Sequence, residues 1–301
     1  MLRTMVLAVL LLLLLPAAGC SVNPGSTGSN GGTLRVIAGE NFWGSLATQL
    51  GGSRATVQSV VSDPNADPHE YETSTNDARA FAEADLVILN GAGYDDWGRK
   101  LLSANPGSHR RVLDIAAALG RKSGDNPHFW YDPALVVRVA DRITSEYSAR
   151  RPADASYFSD RRARLSDAMK PYQDRVVAIR AKFSGVKVGA TENVFAYLAS
   201  ALGLELISPP EFMQAVAEGT EPPSAAVAEF QRQVSRKQIR VLVYNRQTAT
   251  AVTTNLRRQA AGLGIPVVGM SETLPTSTSF QDWQLSQLIA LESALNSSAG
   301  P

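Results

Sequence analysis

The sequence is short of net charge, thiols, imidazoles and long apolar runs, and each scarcity closes off a class of function. Lysine and arginine total 29 against 28 aspartates and glutamates, a formal charge of +1. Such a balance offers no broad basic face to nucleic acid and no counter-surface to an acidic partner. The one cysteine and three histidines include no close pair of cysteines and no histidines four residues apart, so the chain carries no compact metal signature. A His-Glu-x-x-His helix and a serine nucleophile elbow are both missing, which argues against a secreted metallohydrolase. The apolar run from Val6 to Leu15 is too short to span a bilayer.

With Arg3 before it and small residues after it, that run reads as an export signal. Pro16-Ala17-Ala18-Gly19 leading into Cys20 resembles a bacterial lipobox, in which the cysteine is lipidated and becomes the new first residue. That resemblance gives the unpaired thiol of an exported chain a purpose; the plainer alternative is a secreted protein with a stray cysteine. Ser21 to Gly32 is rich in glycine, serine and asparagine without apolar period, and reads as a flexible tether with a mean reach of about 20 Å.

Beyond the tether, a chain with 44% hydrophobic residues is long enough to bury two cores of ordinary size. Leu34 to Ala38, Val57 to Val61, Leu86 to Leu89 and Val112 to Ile115 read as strands, the third apolar throughout, as a strand covered on both faces must be. Asn41 is placed to cap a helix through Leu50, and Ser74 with Asp77 forms a capping box for a helix carrying Ala78, Phe81 and Ala82 on one face. Val186 to Ala190, Leu204 to Ile207, Arg240 to Tyr244 and Ile265 to Gly269 repeat the rhythm in the second half. Between the halves, Phe158, Leu165, Met169, Tyr172, Val176, Ile179 and Phe183 make one apolar stripe in a charged segment. A helix from Ser156 to Phe183 would be about 42 Å long, and Pro171 should kink it or break it in two.

The expected fold is therefore α/β: two lobes, each a four-stranded mostly parallel sheet flanked by helices, joined by one long linking helix. The segments are residues 1–20 (lipoprotein signal peptide), 21–33 (tether), 34–150 (N-terminal lobe), 151–184 (linking helix) and 185–301 (C-terminal lobe). Ligands of open parallel sheets sit beyond the carboxyl ends of the strands. His69 and His128 follow strands of the first lobe there, each directly after a proline that stiffens the turn. Glu192 and Glu272 follow strands of the second. Two imidazoles and two carboxylates suit zinc, manganese or ferrous iron. His109, in a basic polar turn, reads as a surface residue, and the four tryptophans read as packing.

Asp67-Pro68-His69-Glu70-Tyr71-Glu72, with Asn90-Gly91-Ala92-Gly93-Tyr94-Asp95-Asp96-Trp97, resembles the substrate-binding lipoproteins of zinc and manganese ATP-binding-cassette (ABC) importers. Asn126 to Pro133 is similar to their second histidine segment, Thr191 to Leu198 to their third, and Met270 to Leu274 to their last ligand turn. The resemblance covers nearly everything after the tether. It implies a metal held between the lobes by His69, His128, Glu192 and Glu272, capture outside the membrane, and delivery to an ABC permease and its ATPase. No catalytic residue follows from it. The protein would be a monomer held to the cell membrane through lipidated Cys20, with no nucleic-acid partner. Three departures stand out: Asn126 where an aspartate is usual, Asn245 where glutamate is common, and Glu272 where aspartate is common, with Asp282 a fallback ligand. Glu192, able to bind through both oxygens, favours manganese in use, although affinity alone favours zinc. A surface adhesin is the alternative that a tethered lobe leaves open.

Overall fold

The computed structural model describes residues 32–64, 68 and 71–297. The signal segment, Cys20, most of the tether, His69 and Glu70 lie outside the described residues. Eight strands form two four-stranded parallel sheets. In the first, β1 (Leu34–Glu40), β2 (Ala55–Val61), β3 (Leu86–Leu89) and β4 (Arg111–Asp114) run in the order β2-β1-β3-β4. In the second, β5 (Lys187–Ala190), β6 (Glu205–Leu206), β7 (Leu242–Asn245) and β8 (Val267–Met270) repeat that order as β6-β5-β7-β8. The register is anchored by Leu34 opposite Ala55 and Leu86 opposite Arg111 in one sheet, and by Leu242 opposite Val267 in the other.

Side chains alternate across the first sheet as a strand requires. Val36, Ala38, Leu86 and Ile88 face the main core, while Ile37, Val87 and Leu89 face a smaller cluster with Phe81. The main core is continuous from the first sheet, through the helices Asn41–Gly51, Pro133–Arg150 and Ala155–Phe183, to Val243 and Met270 of the second sheet. Both sheets thus lean on one shared apolar body.

The long helix runs unbroken over 29 residues and buries the stripe Phe158 to Phe183 seen in the sequence. Pro171 stands on its exposed side, where water can satisfy the carbonyl whose donor the ring removes, so two separate helices do not form. The helix Phe280–Ser297, packed along it, was not anticipated. Among the described residues no helix is long and apolar enough to cross a membrane.

Three local expectations shift. The strand read as Val112 to Ile115 ends at Asp114, because the Asp114 carboxylate caps the short helix that starts at Ile115. The strand read as Arg240 to Tyr244 is shifted to Leu242–Asn245: it starts two residues later and runs one residue further, and Arg246 beyond it still donates its backbone N–H to Met270 at 2.8 Å. Asn41 caps nothing: it is the first helical residue, and no side chain caps that helix. Its amide instead pairs with the backbone of Leu274 in both directions, at 2.8 and 2.9 Å.

Candidate metal centre

Proline starts the construction. Pro127 keeps the chain out of helix, and His128 then leads into a single turn, Phe129–Tyr131, before Asp132 caps the helix Pro133–Arg150. The turn is wholly buried, and its rings wall the imidazole. Trp130 stacks on Phe42 with centroids 4.0 Å apart and meets His128 edge-on at 5.1 Å. Asn126 settles which ring nitrogen carries the proton. Its Nδ2 donates to the Asn193 carbonyl at 2.8 Å, so its Oδ1 is the atom 2.6 Å from His128 Nδ1. An amide oxygen only accepts, so Nδ1 holds a proton, and in the neutral ring Nε2 is the nitrogen that presents a lone pair.

The second sheet supplies the partners of that lone pair. Glu192, extended just past β5, places Oε1 at 3.6 Å from Nε2, and Glu272, just past β8, places Oε2 at 3.4 Å. All three side chains are fully buried, and their ligand atoms lie within 4.8 Å of one another. Each carboxylate is also held by neighbouring donors. Asn245 donates to Glu192 Oε2 at 2.6 Å and to Glu272 Oε1 at 2.5 Å, Thr248 donates to Glu192 Oε2 at 2.6 Å, and Tyr94 donates to Glu272 Oε2 at 2.7 Å. Gln247 receives the Glu272 N–H at 2.5 Å and fixes that turn.

Burial pushes the Glu192 carboxyl above the usual carboxylate range, and the Glu272 charge adds to the effect; His128, Thr248 and Asn245 pull the other way. Glu192 Oε1 accepts no hydrogen bond among the described residues. Two acidic groups facing one imidazole lone pair in a dry pocket are a poor arrangement for a protein alone and a good one for a divalent cation.

Tyr94 reaches Glu272 from a strained loop. Gly91, Ala92 and Gly93 all have positive φ, at +75°, +56° and +91°, and a Cβ on Gly91 would collide with Asp114 Oδ1. Asp95 closes the loop by accepting from the backbone of Asn90 and Gly91 at 2.5 and 2.8 Å. A cavity of about 310 Å³ borders His128 between this loop, the Ser123 to Pro127 segment and residues Asn193, Gln214 and Glu218.

Of the four residues the sequence pointed to, the structure brings His128, Glu192 and Glu272 together, and His69 lies outside the described residues. Asp282 is exposed and exchanges hydrogen bonds with Ser279 at the start of the last helix, so it serves that helix. His109 is exposed, and Trp43, Trp130 and Trp283 are buried packing residues. Tyr94 and Thr248 are not singled out for the site by the sequence: Tyr94 stands within the Asn90 to Trp97 segment of the resemblance without a ligand's role, and Thr248 stands in no such segment.

Comparison with known proteins places the chain. The family model described as zinc-uptake complex component A, periplasmic, matches residues 36–294. A manganese-binding lipoprotein, MntA, of Halalkalibacterium halodurans is 26% identical over 208 residues, covering 66% of this chain and 68% of that protein. A metal ABC transporter substrate-binding lipoprotein, ScbA, of Streptococcus cristatus is 23% identical, covering 65% and 67%. Among solved structures, the solute-binding protein FpvC of Pseudomonas aeruginosa in complex with Mn2+ superposes with a TM-score of 0.75 at 18% identity, covering 89% of this chain and all of that one.

Proposed function

The chain belongs to the zinc-uptake complex component A family of solute-binding proteins, and from that premise we propose that it holds its cargo between His128, Glu192 and Glu272, with His69 as a fourth ligand. The protein is the extracytoplasmic solute-binding component of a divalent-metal ABC importer and not an enzyme. It captures a divalent cation and delivers it to a membrane permease driven by an ATPase. Its anchoring through Cys20 and its action as a monomer belong to the same proposal.

The observation that carries the ligand assignment is Glu192 Oε1: fully buried, without a hydrogen-bond donor among the described residues, and beside the lone-pair nitrogen of His128. A cation satisfies that oxygen, the Glu272 carboxylate and the imidazole together. Protons compete for the same atoms, so affinity falls with pH. Elemental analysis of protein purified without added metal, followed by titration of the stripped protein with Mn2+ and Zn2+ at pH 8 and pH 5, tests the reading. One tightly bound ion per chain, weaker at pH 5, is expected. A stripped protein that binds neither ion, or binds equally well at both pH values, overturns the ligand set.

A further inference from the structure

Asn245 ends β7 almost wholly buried, between the two carboxylates. Its oxygen accepts the Gln247 backbone N–H at 3.0 Å, which leaves only the amide nitrogen to face Glu192 Oε2 and Glu272 Oε1. Being neutral, the amide supplies both contacts without adding charge to an already acidic pocket. The Thr248 hydroxyl is a second donor to Glu192 Oε2. A carboxylate oxygen has two in-plane lone-pair directions, so two donors occupy that atom. Glu192 is left with Oε1 toward His128, and Glu272 turns Oε2 the same way.

We propose that Asn245, with Thr248 beside it, sets the number of oxygens the site offers: the two donors on Oε2 restrain Glu192 to its other oxygen and so select a cation content with few ligands. This deepens the ligand assignment above and rests on it. With Glu192 held to one oxygen, His128 Nε2, Glu192 Oε1 and Glu272 Oε2 are three donors, four with His69, a number that suits zinc-like tetrahedral cations and falls short of what manganese takes from oxygen-rich sites. Binding through both oxygens of Glu192, the expectation that favoured manganese, needs the oxygen that Asn245 and Thr248 already hold. Asn245 is thus a positioning residue whose effect is on discrimination between metals.

The test uses Co2+ as a spectroscopic probe in the stripped full-length protein and in Asn245→Ala and Thr248→Val, with competition between Zn2+ and Mn2+ on each. The wild type should show the intense visible absorption of four-coordinate cobalt. Asn245→Ala should weaken that absorption toward the faint bands of higher coordination and lower the preference for Zn2+ over Mn2+ by about tenfold, within the range for residues that orient metal ligands. Thr248→Val, at a half-buried position, should move both readouts the same way by less, and it decides the matter if Asn245→Ala does not fold. Variants that keep the wild-type spectrum and metal preference overturn the proposal, as does an equal loss of affinity for both metals. A wild type that binds Co2+, Zn2+ and Mn2+ yet shows no four-coordinate spectrum overturns this proposal alone. A wild type that binds none of the three overturns the ligand assignment beneath it.

Discussion

His128 Nε2 and Glu192 Oε1 lie 3.6 Å apart, yet the two sides of the site are held in different ways. The imidazole is set by shape: a proline turn, a buried run of three aromatic residues and the Phe42 ring fix the plane, and one hydrogen bond to Asn126 chooses the tautomer. The carboxylates are set by donors: Asn245, Thr248 and Tyr94 each hold an oxygen. A ring with one lone pair needs an orientation, which packing supplies. A carboxylate with two equivalent oxygens needs one of them chosen, which only directional bonds can do.

If that contrast holds, substitutions on the two sides should fail differently. Trp130→Ala should cost about 3–5 kcal/mol of folding stability, as large cavities beneath aromatic residues do, measured by denaturant unfolding of the metal-free protein. Glu192→Ala should instead leave the metal-free protein folded and weaken metal binding by more than about a hundredfold, read by calorimetric titration; a smaller loss than for the residues that merely orient ligands would place Glu192 outside the site. Asn126→Ala lies between them, with little change in melting temperature and roughly tenfold to hundredfold weaker binding, because the imidazole loses the acceptor that fixes its proton.

The smallest effect concerns a pair of acids away from the cation. Glu40 is fully buried beside Asp95, and desolvation first, then the Asp95 charge, push its carboxyl well above the ordinary range. A raised folded-state pKa gives stability that is complete below the unfolded value and is lost as pH rises toward the folded one. Glu40→Gln should therefore stabilise the protein by about 1 kcal/mol at pH 8, and the gain should vanish near pH 4. An equal gain at both pH values would mean that the proton on Glu40 plays no part.

Much of this was legible beforehand where the signal was local. The apolar block Leu86 to Leu89, the Ser74–Asp77 capping box and the seven-residue stripe of the long helix are patterns within one element, and the structure reproduces each. His128, Glu192 and Glu272 could be placed together because strand ends share an edge in parallel sheets. What stayed hidden depended on distant partners. Asn41 looked like a helix cap, and its amide pairs with a backbone 233 residues away. Asn245 showed only as a departure from a resemblance, and its role needs Glu192 and Glu272 at once. One local signal outweighs a resemblance: Ser279 and Asp282, three apart, announce the last helix, and that is the role the aspartate fills in place of a fallback ligand's.

The bond between Asn41 and Leu274 ties the opening of the folded region to a turn near its close. Neither carboxylate exists on a chain translated only as far as the linking helix, and the turn bearing Glu272 gains this anchor only after residue 274 has emerged. A half-made polypeptide therefore lacks the trap for the cation. A protein threaded across a membrane before it folds would thus arrive with empty hands, ready to load on the far side.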